Sequence, residues 1–224
     1  MKKILVITIM CCMFLPIILF AQEGMQNAQD IFNRVSDKYA KITDLQCNIR
    51  ISKGDTVQAG RLFYTNKNYM KIEFSSPSGQ IILIDREKLQ IYLPSHRTIL
   101  EQKFRDSKES LLTSGGLALF DSNYHIGFAV AGLTPLQSGS SEQVYKLRLE
   151  PNTSVTEGYK EIILSINPST ELIRRIEAIT LKNEKITIDY DGITLNVGIP
   201  YTRFQMDPPN LTNVYPDFLS GSEE

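Results

Sequence analysis

His96 and His125 are the only histidines of this 224-residue chain, and imidazole is the side chain most ready to move a proton near neutral pH. Neither stands at metal-ligand spacing from a carboxylate or a cysteine, and His96 lies beside Arg97 in a turn-like stretch after Pro94 and Ser95. Asp85 follows the apolar run 81–84, and Asp189 and Asp191 flank Tyr190. Carboxylates so placed mark strand ends and polar sheet faces more often than an acid–base pair. The chain has no Gly-x-Ser-x-Gly elbow, no phosphate-binding loop and no dinucleotide fingerprint. These residues argue against an enzyme and imply neither a cofactor nor a metal.

The cysteines narrow the chemistry further. Cys11 and Cys12 fall in an apolar run from Ile4 to Phe20 that follows Lys2 and Lys3, the charge and hydropathy pattern of a secretory leader. Two readings of this run stand: a leader cleaved after Leu19-Phe20-Ala21, and an uncleaved anchor, since about 20 apolar residues span a bilayer. Pro16 and the polar Gln22-Glu23-Gly24 favour cleavage, giving residues 1–21 as the leader and 22–224 as one domain. Gln22, not a cysteine, holds the first position after the cut, so a free rather than a lipid-anchored product is expected. Cys47 then remains alone and can form neither an internal disulfide nor a cysteine-rich zinc site. With 24 basic and 25 acidic residues, two of the lysines leaving with the leader, the chain lacks the clustered positive excess that nucleic acid requires.

The elements that must position any site come next. Between residues 27 and 42 the apolar Ala28, Ile31, Phe32, Val35, Tyr39 and Ile42 recur at spacings of three and four, which predicts an amphipathic helix. After Leu45 the period becomes two. Strands are predicted over 45–53, 56–65, 69–75, 80–85, 89–94 and 98–104, separated by turn material such as Gly54-Asp55 and Asn66-Lys67-Asn68, in the manner of an antiparallel meander. Met70, Ile72 and Phe74 alternate with Lys71 and Glu73. Residues 106–128 break the pattern around Gly115-Gly116, which suits short helices or a flap. Strands resume over 143–150, 160–167, 171–181 and 185–191, with 192–199 and 204–206 as further edges. So long a sheet must close on itself or curl around a helical cover.

Leu62, Tyr64, Met70, Ile72, Phe74, Ile82, Ile84, Ile91, Leu93, Leu147 and Leu149 can all point to one concave side. They suit a lining for an apolar cavity, and they equally suit a filled core; composition does not separate the two. Leu111, Leu112, Leu117, Leu119 and Phe120 are the candidate lid.

The run Gly60-Arg61-Leu62-Phe63-Tyr64-Thr65-Asn66-Lys67-Asn68-Tyr69-Met70-Lys71-Ile72-Glu73-Phe74, then Ser75-Ser76-Pro77, Gln80 to Asp85, and Leu89-Gln90-Ile91-Tyr92-Leu93-Pro94, resembles the LolA-like family of periplasmic outer-membrane lipoprotein carriers. The leader and the first helix fit the same family. The resemblance implies a mainly β fold with some α: a strongly bent antiparallel sheet forming an unclosed half-barrel, with an N-terminal amphipathic helix and short helices as a lid. It implies a monomeric periplasmic protein that binds lipoprotein acyl chains, receiving cargo from an inner-membrane ABC transporter and passing it to an outer-membrane acceptor. Relatives of this fold also act as envelope sensors that bind a protein partner, which is the alternative function. Where the well-studied carriers have an arginine tied to cargo release, this chain has Asn66, with Lys67 the nearest cation.

Overall fold

The computed structural model describes residues 27–104, 114–153 and 158–219. Asn27 acts as a helix cap: its side chain accepts a 2.7 Å hydrogen bond from the Asp30 amide, satisfying one of the amides that a helix start leaves unpaired. Helix α1 (Ala28–Ala40) follows, and its buried stripe is Ala28, Ile31, Phe32, Val35 and Tyr39, the face the spacing predicts.

Among the described residues twelve strands form one sheet: β1 (Asp44–Lys53), β2 (Thr56–Thr65), β3 (Tyr69–Ser76), β4 (Ile81–Ile84), β5 (Lys88–Leu93), β6 (Thr98–Lys103), β7 (Tyr124–Pro135), β8 (Gln143–Pro151), β9 (Tyr159–Ile166), β10 (Ile173–Thr180), β11 (Lys185–Leu195) and β12 (Asn213–Pro216). Their order is β12-β6-β5-β4-β3-β2-β1-β11-β10-β9-β8-β7. Two meanders thus meet where β1 pairs with β11, and β7 and β12 lie at opposite ends without closing the sheet. Every pairing is antiparallel except β12 with β6, which is parallel. The unclosed half-barrel expected from the sequence is the architecture found. Helix α2 (Ser114–Asn123) lies between β6 and β7 in the chain, and α1 lies against α2 and β7.

One glycine marks an irregularity in the first meander. A side chain at Gly60 would place its first carbon 2.3 Å from the Glu73 carbonyl oxygen, where the register of β2 against β3 slips between Ala59 and Gly60. Glycine allows this close backbone approach, and an irregularity of this kind increases local twist.

The sheet has a packed core on each face. On the concave face, α1 contributes its buried stripe and α2 contributes Leu117 and Phe120 to a cluster with Leu45, Cys47, Ile49, Leu62, Ile72, Phe74, Leu147, Leu149, Leu164 and Tyr190, among others. On the convex face, Phe63, Leu83 and Phe204 form a smaller cluster. Phe204 comes from a 3-10 turn (Tyr201–Phe204). The sequence suggested an edge strand at 204–206; instead this segment docks flat on the sheet, because Phe204 fills the space over Phe63 and Leu83. The suggested strand 192–199 is in part the end of β11, which runs on through a bulge opposite Gln46 and Asn48 to Leu195.

Candidate functional site

Register decides which side chains share the concave face. Residues directly paired across antiparallel strands point the same way. Cys47 pairs with Leu62, Leu62 with Ile72, Ile72 with Ile82, Ile82 with Ile91, and Ile91 with Leu100. A second row runs Tyr64, Met70, Ile84 and Leu89. In the other meander Leu147 pairs with Leu164 and Leu149 with Ile162. The structure therefore brings all eleven proposed lining residues to one face. Leu89 and Leu100 belong there too and were missed, although they share the odd–even parity of Ile91 and Leu93 in β5 and of the partner strand.

Their surroundings differ along the rows. Leu62, Tyr64, Ile72, Phe74, Leu147 and Leu149 are 0–5 % exposed within the main core, and Met70 and Ile82 pack against it. Ile84, Leu89, Ile91, Leu93 and Leu100 are only half-buried and stand outside that cluster. The concave face is thus filled by the two helices over β1–β3 and β8–β11, and less covered over β4–β6.

The cover is held by a few polar contacts. Gln29 of α1 donates a 2.6 Å hydrogen bond to Asp121 of α2. Arg34 of α1 pairs with Glu171 in the β9–β10 turn at 3.0 Å, and the Ile173 amide donates to the Tyr39 hydroxyl at 3.2 Å. Beneath α1, burial pushes the Cys47 thiol up to about 12 and raises the Tyr39 and Tyr190 phenols as well. These groups are held neutral by the core, as apolar surroundings disfavour their charged forms. Of the candidate lid residues, Leu117 and Phe120 are buried; Leu111 and Leu112 lie outside the described residues, as does the side chain of Leu119.

Asn66 and Lys67 sit in a turn with polar neighbours. The Asn66 amide donates to the Thr43 carbonyl at 2.9 Å. Arg86, from the turn between β4 and β5, donates from Nε to the Lys67 carbonyl at 3.1 Å. A second cation thus stands at this turn, supplied from elsewhere in the chain. It faces a cleft of about 590 Å³ that Tyr69 and Tyr201 also line.

The residues weighed for acid–base chemistry are dispersed. His96 Nδ1 lies 2.9 Å from the Ser95 hydroxyl in an exposed turn. Asp189 is bound by Arg175 at 2.5 Å and Asp191 by Arg174 at 3.3 Å. Arg174 also binds Glu142 at 2.8 Å, and its hydrogen bond holds that carboxyl below the usual range. Among the described residues, no three His, Cys, Asp or Glu side chains gather as a metal site would require, and no helix is long and apolar enough to cross a membrane.

No family model and no curated protein matches the chain in sequence. Solved structures do match. An uncharacterized conserved protein from Thermus thermophilus aligns with a TM-score of 0.57 and 14 % identity, over 85 % of this chain and 99 % of that one. MucB of Pseudomonas aeruginosa, in its complex with MucA, aligns at 0.51 and 10 % identity, over 80 % of this chain and 61 % of that one. A LolA superfamily protein from Nitrosomonas europaea aligns at 0.40 and 18 % identity, over 81 % and 99 %. At these identities the likeness is one of fold.

Proposed function

We propose that this protein is a periplasmic carrier that takes the acyl chains of lipoproteins, or of other envelope lipids, onto the concave face of its sheet. The observation that carries the reading is the apolar row Leu62, Ile72, Ile82, Ile91 and Leu100, which passes without a polar interruption from beneath the helices to the half-buried strands β5 and β6. An acyl chain entering over Ile84, Ile91 and Leu93 would extend along this row as α1 and α2 yield. Each methylene so buried contributes about 0.8 kcal/mol, which works against the cost of displacing the helices' own packing. No bond need be made or broken, which agrees with the dispersed histidines and carboxylates.

Delivery between an inner-membrane ABC transporter and an outer-membrane acceptor is part of this reading, and it rests on the family resemblance. The fold likeness to MucB, solved in complex with MucA, favours a second reading in which this chain binds an envelope protein rather than lipid. Mass spectrometry of what co-purifies with the exported chain, isolated without detergent, separates the two. The carrier reading expects extractable acyl lipid or an acylated protein. One protein partner retained without any acyl group would support the second reading and contradict the first.

A further inference from the structure

A cleft of about 630 Å³ opens on the convex side at the Gly60 crease, lined by Asn48, Arg50, Arg61 and Ser75 together with the carboxylates of Glu73, Asp189 and Asp191. Arg50 pairs with Ala59 across β1 and β2, and Arg61 lies two residues further along β2 on the same face. Side chains in this diagonal relation start about 7–8 Å apart, within reach of a common ligand for two arginines.

Each donor faces a carboxylate that is already engaged. Arg50 is in register with Asp189, which Arg175 binds at 2.5 Å. Asn48 is in register with Asp191, which Arg174 binds. Arg61 is in register with Glu73, which Lys71 binds at 3.0 Å and Arg203 approaches at 3.7 Å. Among the described residues, neither Arg50 nor Arg61 has a carboxylate within salt-bridge distance; Arg61 lies over the Phe63 ring at 5.3 Å. Arg50 and Arg61 therefore line one cleft without an acid partner of their own, while of its three carboxylates Asp189 and Glu73 have their own cations and Asp191 shares Arg174 with Glu142.

We propose that this crease binds a phosphate group. A single carboxylate has two oxygens and saturates one guanidinium fork, whereas a phosphate presents three or four and can take a fork from each arginine plus the Asn48 amide. The cleft is also larger than inorganic phosphate requires, which suits a phosphate ester. The inference is independent of acyl binding, since it uses the opposite face of the sheet.

The test is a titration of the exported, full-length mature chain with glycerol 3-phosphate, followed by amide chemical shifts, alongside flotation with phosphatidylglycerol and phosphatidylcholine vesicles. Saturable shifts at the amides of Arg50, Gly60, Arg61 and Ser75 are expected. An Arg50→Gln, Arg61→Gln double variant should bind about ten-fold or more weakly with an unchanged melting temperature. Saturation with glycerol 3-phosphate together with selective flotation on phosphatidylglycerol assigns a lipid headgroup; saturation without flotation assigns a free phosphate ester. Either supports the site. Shifts that do not saturate, that sodium chloride of equal ionic strength reproduces, or that persist in the double variant overturn it. So does vesicle binding without glycerol 3-phosphate saturation, because the phosphate is then not what is read.

Discussion

Asp44 joins the exit of α1 to the residues just after β11 through both oxygens of its carboxylate. The group is 7 % exposed; Oδ1 accepts from the Val197 amide at 2.8 Å and Oδ2 from the Gly198 amide at 3.1 Å. Replacement by alanine leaves two amides without their acceptor, each a penalty of about 1–3 kcal/mol where water does not replace it. Asp44→Ala should therefore lower the unfolding free energy in urea by at least about 1 kcal/mol, and Asp44→Asn, which keeps one acceptor, by less. A second residue-scale consequence concerns alkali. The unfolded chain's Cys47 thiol loses its proton near pH 9, whereas in the fold it keeps it to about pH 12. The unfolded state thus binds fewer protons across this window, and stability falls as pH rises from about 9 to 12. Tyr39 and Tyr190, also raised by burial, add to the fall above pH 10. The urea midpoint should decline from about pH 8 to about pH 11, and a thiol reagent at about pH 8 should label Cys47 only after denaturation.

At the scale of elements, α2 is the segment best placed to move. It begins with Gly115-Gly116 after its first residue, Ser114, and glycine weakens a helix by about 1 kcal/mol relative to alanine. It is tied to the core through Leu117 and Phe120 and to α1 through Gln29 and Asp121. Strand β3, by contrast, is paired on both sides, by β2 and β4. Hydrogen exchange should be faster in α2 than in β3; equal protection in the two would remove α2 as a moving cover. These elements were unequally legible in the sequence. The spacing of Ile31, Phe32, Val35 and Tyr39 marks α1 because its buried face is a simple helical stripe. Strands β1–β6 were readable because turn residues separate short runs that alternate or, in β4, are apolar throughout. Strand β7 was missed: its register against β8 slips twice, between Phe128 and Val130 and between Val130 and Leu133, so Ala129, Ala131 and Gly132 interrupt the period of two. Strand β12 is a four-residue parallel pairing with β6, whose partner is set by the path of the chain and not by any local pattern.

For the whole molecule, the sequence could name the apolar face but not what occupies it. Ile72 and Ile91 have the same residue type and the same place within alternating runs, yet Ile72 is 5 % exposed against the helices and Ile91 is half-buried beyond them. That difference depends on where α1 and α2 come to rest, which is tertiary information. The convex core was hidden for the same reason: Lys71 reads as a solvent-facing residue, but its ammonium bonds Glu73 and the Gln205 carbonyl beneath the docked 3-10 segment. The difference between Ile72 and Ile91 also separates folding from binding. A carboxylate at Ile72 enters a packed core, where an unpaired charge is among the most destabilising changes, so Ile72→Asp should abolish the cooperative thermal transition. At Ile91 the carboxylate can reach water, and the fold should survive. The most direct measurement of the carrier account is displacement of a fluorescent fatty-acyl probe by envelope lipid, made on the wild-type protein and on Ile91→Asp. The account predicts saturable, displaceable binding by the wild type and its loss in a variant that still melts cooperatively. A wild-type protein that never binds the probe, or an Ile91→Asp variant that binds it undiminished, would contradict it.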